Sequence, residues 1–362
     1  MLKNLLICTI LAGTGLVAFL VAQDPPKTDP SKPDQSKDSV FKETFKFVVA
    51  PVTVIDRDGN FVSGLTPYDF RLFDNGKPQR ITEDVADHPI SLVVVIQANA
   101  ATENVIKQVQ KIGSVIDGTI LGETGEAAVI AFDHRVQKLL PFTSEPGKVA
   151  EALKKLKPGS YSANLNDATM EAINMLRVRP DSRRRAILLI SESRDKGSEM
   201  SVREVLTNAE FNDVVIYPVN ISHLLTSLTT APPPPRPDNR PPGAVHLPAG
   251  NVSTPTVESQ HEMGNYIPMF VEIFKGAKAI FVPNPLEVYS KYTGGREYSF
   301  KSQGALERAV SEIGAELHSQ YLLTYRPNNE TEGGFHEITV QILKPDLKVR
   351  TRTGYWVAAK PN

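Results

Sequence analysis

The sequence predicts a doubly wound α/β domain with a mixed, Rossmann-like sheet. It is inserted into a small immunoglobulin-like β-sandwich built from the N- and C-terminal segments. Three observations lead there. Ile90-Ser-Leu-Val-Val-Val-Ile96 is a short, β-branched apolar run, the mark of a strand buried on both faces. Such runs then alternate with amphipathic segments to about residue 222, as in a parallel-sheet domain. Alternating strand patterns flank this region on both sides, and neither flank alone makes a core.

Composition sets the class. The chain has 362 residues, room for two ordinary domains, with 41% hydrophobic and 22% charged residues, the balance of a soluble globular protein. Lys plus Arg is 40 against 41 Asp plus Glu, so nothing points to nucleic acid or an anionic membrane.

Residues 1–22 read as a secretory signal peptide: Lys3, an apolar stretch through Val21, Ala22 as the cleavage residue, then polar Gln23-Asp24-Pro25-Pro26. The bulky Leu20 leaves an uncleaved membrane anchor as the alternative. The single cysteine, Cys8, lies inside this segment, so the mature chain has no disulfide, which favours a bacterial exported protein. Residues 23–43 are rich in Pro, Lys, Asp and Ser and read as a disordered linker.

Residues 44–87 form the first part of the sandwich. Phe45, Phe47, Val49, Val52 and Val54 give a strand with Pro51 at an edge or bulge. Asp56, Asp58 and Asn60 are spaced as in a calcium loop, but no later acidic ligand follows, so a turn is expected. Residues 70–73 and 79–85 are the second and third strands, with the turn Asp74-Asn75-Gly76 between them.

Residues 88–319 are the α/β domain. Strands are expected at 92–96, 127–132, 136–142, 186–190 and 214–219, and helices at 102–116, 146–156, 165–176 and 201–211. In the first helix Val105, Val109, Ile112 and Ile116 mark one buried face. Asp133-His134-Arg135 is too short for a crossover, so the strands around it form an antiparallel hairpin. Residues 223–285 are an irregular, proline-rich insertion containing Pro232-Pro233-Pro234-Pro235. It reads as a solvated loop, with docking to a proline-binding domain as the alternative and a helix expected at 263–274. A helix at 286–292 stops at Thr293-Gly294-Gly295; a strand at 297–300 and a helix at 305–318 follow. Residues 320–358 return to β structure, with strands at 321–325, 336–343 and 349–357. Three strands thus precede the α/β domain and three follow it.

In the sheet order 3-2-1-4-5-6 the strands ending at Ile96 and Ile190 are neighbours, so Gln97 and Glu192 meet at the topological switch point. Gln97, Asn99, Ser160, Tyr161, Ser162, Asn164, Glu192 and Arg194 form a polar rim there. Tyr and Arg are frequent interface anchors, and ordinary hydrophilic loops are the competing reading. Enzyme signals are poor. The 7 histidines are scattered, neither Gly-x-Ser-x-Gly nor a phosphate loop occurs, and Ser193-Arg-Asp-Lys196 matches Ser-x-x-Lys by spacing alone. No enzyme activity is expected. Arg177, Arg179, Arg183, Arg184 and Arg185 lie at the opposite, amino edge, where a solvated basic loop is expected and an anion site is the alternative.

With these residues in place the chain resembles the von Willebrand factor type A (VWFA) domain: a buried strand with a loop at its end, a hairpin, the 186–190 strand and a late Thr293-Gly-Gly-Arg296. Its flanks resemble the exported VWFA-related group described from Acidobacteria. The matching stretches are Val54-x-Asp56-x-x-Gly59, then Val62-Ser-Gly-Leu-Thr-Pro-Tyr-Asp-Phe70, Tyr321-Leu-Leu-Thr-Tyr325-Arg-Pro and Arg352-Thr-Gly-Tyr355. The resemblance implies a magnesium-holding adhesion site with the pattern Asp-x-Ser-x-Ser, a Thr and an Asp. Here Gln97, Asn99 and Ala101 replace the first three, Ala163 the Thr and Glu192 the last Asp. One carboxylate and two amides hold a hydrated divalent cation poorly, so no cofactor is expected; a weak magnesium site on Asn99, Glu192 and Asp195 is the alternative.

The functional expectation is an exported bacterial adhesion-like module with a degenerate metal site. It is secreted or periplasmic and binds a protein partner in the envelope or outside it without metal. Neither nucleic acid nor a small-molecule substrate is expected. Its candidate contact residues are Gln97, Asn99, Ala101, Tyr161, Ser162, Ala163, Glu192 and Arg194. The alternative is a metal-dependent adhesion or chaperone-like subunit that uses the substituted site.

Overall fold

The computed structural model describes residues 47–84, 88–195, 197–221, 284–329 and 332–357, all within one compact unit, Phe45–Asn362. The expected signal segment, linker, proline-rich insertion and 263–274 helix lie outside the described residues. In chain order the strands are β1 (Val48–Ile55), β2 (Phe70–Asp74), β3 (Lys77–Gln79), β4 (Ile81–Asp84), β5 (Ile90–Gln97), β6 (Glu126–Phe132), β7 (Val136–Thr143), β8 (Arg184–Ser191), β9 (Val214–Ile221), β10 (Tyr298–Phe300), β11 (Tyr321–Tyr325), β12 (Gly334–Ile342), β13 (Lys348–Thr351) and β14 (Gly354–Val357). The helices are α1 (Glu103–Val109), α2 (Gly113–Ile116), α3 (Lys148–Lys154), α4 (Leu165–Leu176), α5 (Val202–Phe211), α6 (Pro285–Thr293) and α7 (Gln303–Ser319). Among the described residues no helix is long and apolar enough to cross a membrane.

The central sheet has six strands in the order β10-β9-β8-β5-β6-β7. It is mixed: β6 and β7 are antiparallel, and the other pairings are parallel. Every residue of β5 is buried, as its unbroken apolar run requires. Alternate side chains feed opposite cores. Leu92, Val94 and Ile96 pack with residues of α1, α2 and α7, whereas Val93 and Val95 pack with residues of α4, α5 and α6.

The helix expected at 102–116 is broken. A 3₁₀ turn at Ala100–Thr102 precedes α1, and α2 runs into a π turn at Asp117–Leu121. Gly113 explains the break. A Cβ there would lie 2.4 Å from Ala150 Cα, so the residue that lets α2 touch α3 also weakens helix propagation.

The flanking segments form two antiparallel four-stranded sheets, β13-β1-β11-β4 and β14-β12-β2-β3. They share one core, which includes Val52, Leu72, Leu323, Tyr325, Ile338 and Tyr355. Four described strands therefore lie on each side of the α/β region, not three. The expected 79–85 strand divides around Arg80, and the expected 349–357 strand divides at Arg352-Thr353. At both points the chain leaves one sheet and joins the other, a turn that a uniform alternating pattern does not announce. Pro51 is not on an edge strand. It pairs with Leu322 of β11, but β13 covers β1 only from Val52 to Ile55, so the proline occupies a stretch with one neighbour.

Candidate functional site

Strands β5 and β8 are parallel neighbours, and their carboxyl ends bring Gln97 beside Glu192. Gln97 is 1% exposed. Its Oε1 accepts the Glu192 backbone N–H and the Ser191 hydroxyl, both at 2.9 Å, and its Nε2 donates to Glu192 Oε2 at 3.3 Å. A glutamine can do this because its amide offers donor and acceptor together. The two strand ends are thus clasped side chain to loop.

The next residues are pinned just as tightly. Thr102 Oγ1 lies 3.0 Å from both the Gln97 and Asn99 carbonyls and closes the 3₁₀ turn. Ala98 N–H donates to the Phe132 carbonyl at 2.8 Å, and Ala100 N–H to the Ser160 carbonyl at 2.9 Å. Asn99 is buried, yet neither its Oδ1 nor its Nδ2 has a hydrogen-bond partner. Ala163 is buried in the core beneath the loop and offers no donor.

Asp133, read in the sequence only as part of a hairpin turn, organises the facing loop. It is almost fully buried and accepts the Ser160 N–H at 2.9 Å and the Arg135 N–H at 2.8 Å. Burial alone would raise its carboxyl. The Ser160 and Arg135 amides, with His134 beside them, outweigh that and hold it below the usual carboxylate value. His134 Nδ1 in turn lies 2.8 Å from Ser160 Oγ.

Residues 94–194 match the family model of the von Willebrand factor type A domain. The chain carries a von Willebrand factor type A domain. Among solved structures it is similar to an aerotolerance-related membrane protein from Bacteroides fragilis, at 12% identity and TM-score 0.39, covering 62% of this chain and 98% of that one. It is also similar to the vWF domain of the type V pili tip protein Mfa5 from Porphyromonas gingivalis, at 18% identity and TM-score 0.26, covering 30% of this chain and 39% of that one. A von Willebrand factor type A protein from Catenulispora acidiphila is similar at 8% identity and TM-score 0.43, covering 89% and 68% of the two chains. No curated protein sequence matches the chain.

Of the residues expected on the contact rim of the type A domain, Gln97, Asn99, Ala163 and Glu192 are buried. Tyr161, at 47% exposure, and Arg194 are exposed, while Ala101 and Ser162 are half-buried. Asp195 does not join the crevice residues. Its Oδ1 accepts the Leu165 N–H at 2.8 Å and the Ser198 hydroxyl at 2.6 Å, which fastens it to the start of α4. Burial pushes its carboxyl up, against those hydrogen bonds.

At the amino edge of the type A domain Arg177 is exposed, as a solvated loop requires, but Arg179, Arg183, Arg184 and Arg185 are engaged. Arg179 grips both carboxylate oxygens of Glu126 at 2.7 and 2.8 Å, and Arg183 donates to Ser91 Oγ at 2.8 Å. Arg184 is buried and donates to the Leu317 carbonyl and, at 2.6 Å, to the Gln320 carbonyl. Arg185 reaches the Asn212 and Arg179 carbonyls and Asp181. Most of these partners lie far away in sequence, so the local run of like charge misleads.

Proposed function

We propose that this chain is an exported bacterial protein-interaction module, adhesion-like, whose type A domain binds its partner without metal. One observation carries the reading: the Gln97–Glu192 clasp occupies the place where the resemblance puts a cation. A hydrated divalent cation needs about six oxygen ligands. Here the Ala101 and Ala163 side chains supply none, the Gln97 side-chain oxygen is already engaged, Glu192 is the one carboxylate among the substituted positions, and buried Asp133 beside them is taken up by the Ser160 and Arg135 amides. Among the described residues no group of three His, Cys, Asp or Glu side chains stands ready for a metal. The residues present do not fit the ion, and no catalytic step is assigned to them; the protein works by binding.

The rest of the reading follows the sequence. The leading segment directs export, to the outside or the periplasm, with retention by an uncleaved anchor as the alternative. The two flanking sheets are an immunoglobulin-like sandwich that carries the type A domain, as in the group described from Acidobacteria. The partner is a protein of the envelope or the exterior, met by the rim around Tyr161 and Arg194. A second reading has one observation behind it. The unpartnered amide of buried Asn99 supports a metal-dependent adhesion or chaperone-like subunit in which that amide and Glu192 hold a weak cation.

Capture of envelope proteins by the full chain tests the proposal. The expected result is a bound species retained in chelator, lost with Tyr161→Ala, and unaffected by a surface change remote from the rim such as Val178→Ala. Release by chelator would favour the second reading. Retention by Tyr161→Ala and Glu192→Ala alike would remove the partner from this edge.

A further inference from the structure

The motifs that the crevice leaves unused, Thr293-Gly-Gly-Arg296 and Arg352-Thr-Gly-Tyr355, come together at the other end of the type A domain. Gly294 follows α6 with φ of +88°, and a Cβ there would lie 2.8 Å from Pro51 Cγ and 3.2 Å from the Arg352 backbone nitrogen. Only a glycine allows both the left-handed turn and this approach of β1 and the Arg352 corner. Beside the contact lies a cavity of about 180 Å³, lined on one side by residues that begin β8 and β9 and on the other by β1, β11 and Arg352.

Two features of the lining point to a ligand. First, Arg352 is 5% exposed, and its ion pair with Asp213 spans 3.8 Å, beyond hydrogen-bond reach. The Tyr355 ring, 5.8 Å from the guanidinium carbon, adds a weak cation–π contact. Its Nε is buried with no hydrogen-bond partner, and so is the Nε of Arg185, another lining residue. A buried guanidinium left this poorly matched is costly unless an anion completes it. Second, Val49, Val214, Val215 and Leu322 give the cavity an apolar patch, with Thr293 and Gln320 among the polar residues beside it. Of the three lining acids, Asp181 is 99% exposed on its side chain and bound to Arg185, Glu210 accepts the Trp356 N–H at 3.3 Å, and Asp213 lies 3.8 Å from Arg352 with 45% exposure.

We propose that this cavity binds a small organic carboxylate. Its oxygens pair with Arg352 and with the Nε–H of Arg185, and its apolar body lies against Val49, Val215 and Leu322. The volume suits an acid of about benzoate size, since a dry cavity of roughly 150 Å³ holds a benzene molecule. Arginine is the cation fitted to a planar carboxylate. Inorganic phosphate has no apolar body for this wall. The site lies between the central sheet and the flanking β-sheet, so an occupant stabilises the junction of the two. It stands apart from the carboxyl-edge crevice and does not rest on the reading of that edge.

Thermal unfolding of the full chain with benzoate, benzamide or phosphate at matched ionic strength tests the assignment. Benzoate at a hundredfold excess over its Kd raises Tm by about 5 °C, whereas benzamide and phosphate leave it unchanged. Arg352→Gln abolishes the rise. Val49→Phe, which fills the cavity and leaves both arginines in place, also abolishes it, and decides the matter if Arg352→Gln does not fold. An equal rise with benzamide reduces the cavity to an apolar void and overturns the proposal. So does an equal rise with phosphate, a rise that persists in Val49→Phe, or no rise with benzoate.

Discussion

Replacing Asp74 by alanine lowers the unfolding free energy by about 4 kcal/mol, the cost of removing one partner from a buried charged network. Asp74 is fully buried between the two flanking sheets. Its Oδ2 accepts the Tyr325 and Tyr355 hydroxyls at 2.9 and 2.7 Å, and its Oδ1 faces Asn329 Nδ2 at 3.0 Å and His336 Nδ1 at 2.7 Å. His336 Nε2 meets the Glu332 carbonyl at 2.6 Å, so both ring nitrogens face acceptors. Burial pushes both phenols far up, so they remain donors across the pH range of a folding experiment. Alanine leaves these buried donors without their acceptor. Asp74→Asn keeps the volume and one acceptor oxygen, so it costs less, about 2 kcal/mol. Urea unfolding measures both. A loss below about 1 kcal/mol for the alanine variant would mean that the network contributes little beyond packing.

Glu316→Ala lowers stability by about 3 kcal/mol, somewhat less than the Asp74 change. Glu316 is fully buried on α7, where its Oε1 accepts from Thr53 Oγ1 at 3.3 Å, from the Tyr217 hydroxyl at 3.1 Å and from the Arg350 guanidinium. These contacts join α7 and β9 of the central α/β layers to β1 and β13 of the flanking sheet. The loss is smaller because the Arg350 side chain is 35% exposed and recovers part of its hydration when the carboxylate is gone. The double change Glu316→Met with Arg350→Met restores much of the stability, since an apolar pair strands no charge. If the double variant is as unstable as the sum of the two singles, the ion pair is not what holds the junction.

The buried strands were legible because their signal is local. The apolar run of β5, the short Asp133-His134-Arg135 connection and the 165–176 helix are each decided by neighbours in sequence, and each appears where expected. Gln97 meeting Glu192 was legible too, because strand order alone dictates it. The corners at Arg80 and Arg352 were not, since leaving one sheet for the other does not change the alternation of side chains. Asp74 read as a turn residue, and its partner His336 lies 262 positions away, so nothing near either one reveals the pair. The same holds for Arg184, whose acceptors sit at the end of α7. Asn99 was placed in the right loop, but its complete burial follows from the Ser160 and Phe132 carbonyls that draw the loop down.

The central proposal is that Gln97 and Glu192 clasp one another at the carboxyl edge and that the described residues there offer no set of oxygens for a cation. Magnesium titration of the full chain, followed by melting temperature, tests it most directly. The account predicts a flat response through millimolar magnesium, unchanged by prior treatment with chelator. A rise of several degrees that is absent in Glu192→Ala would contradict it, because it would place a stabilising ion on the residues described here as clasped to one another.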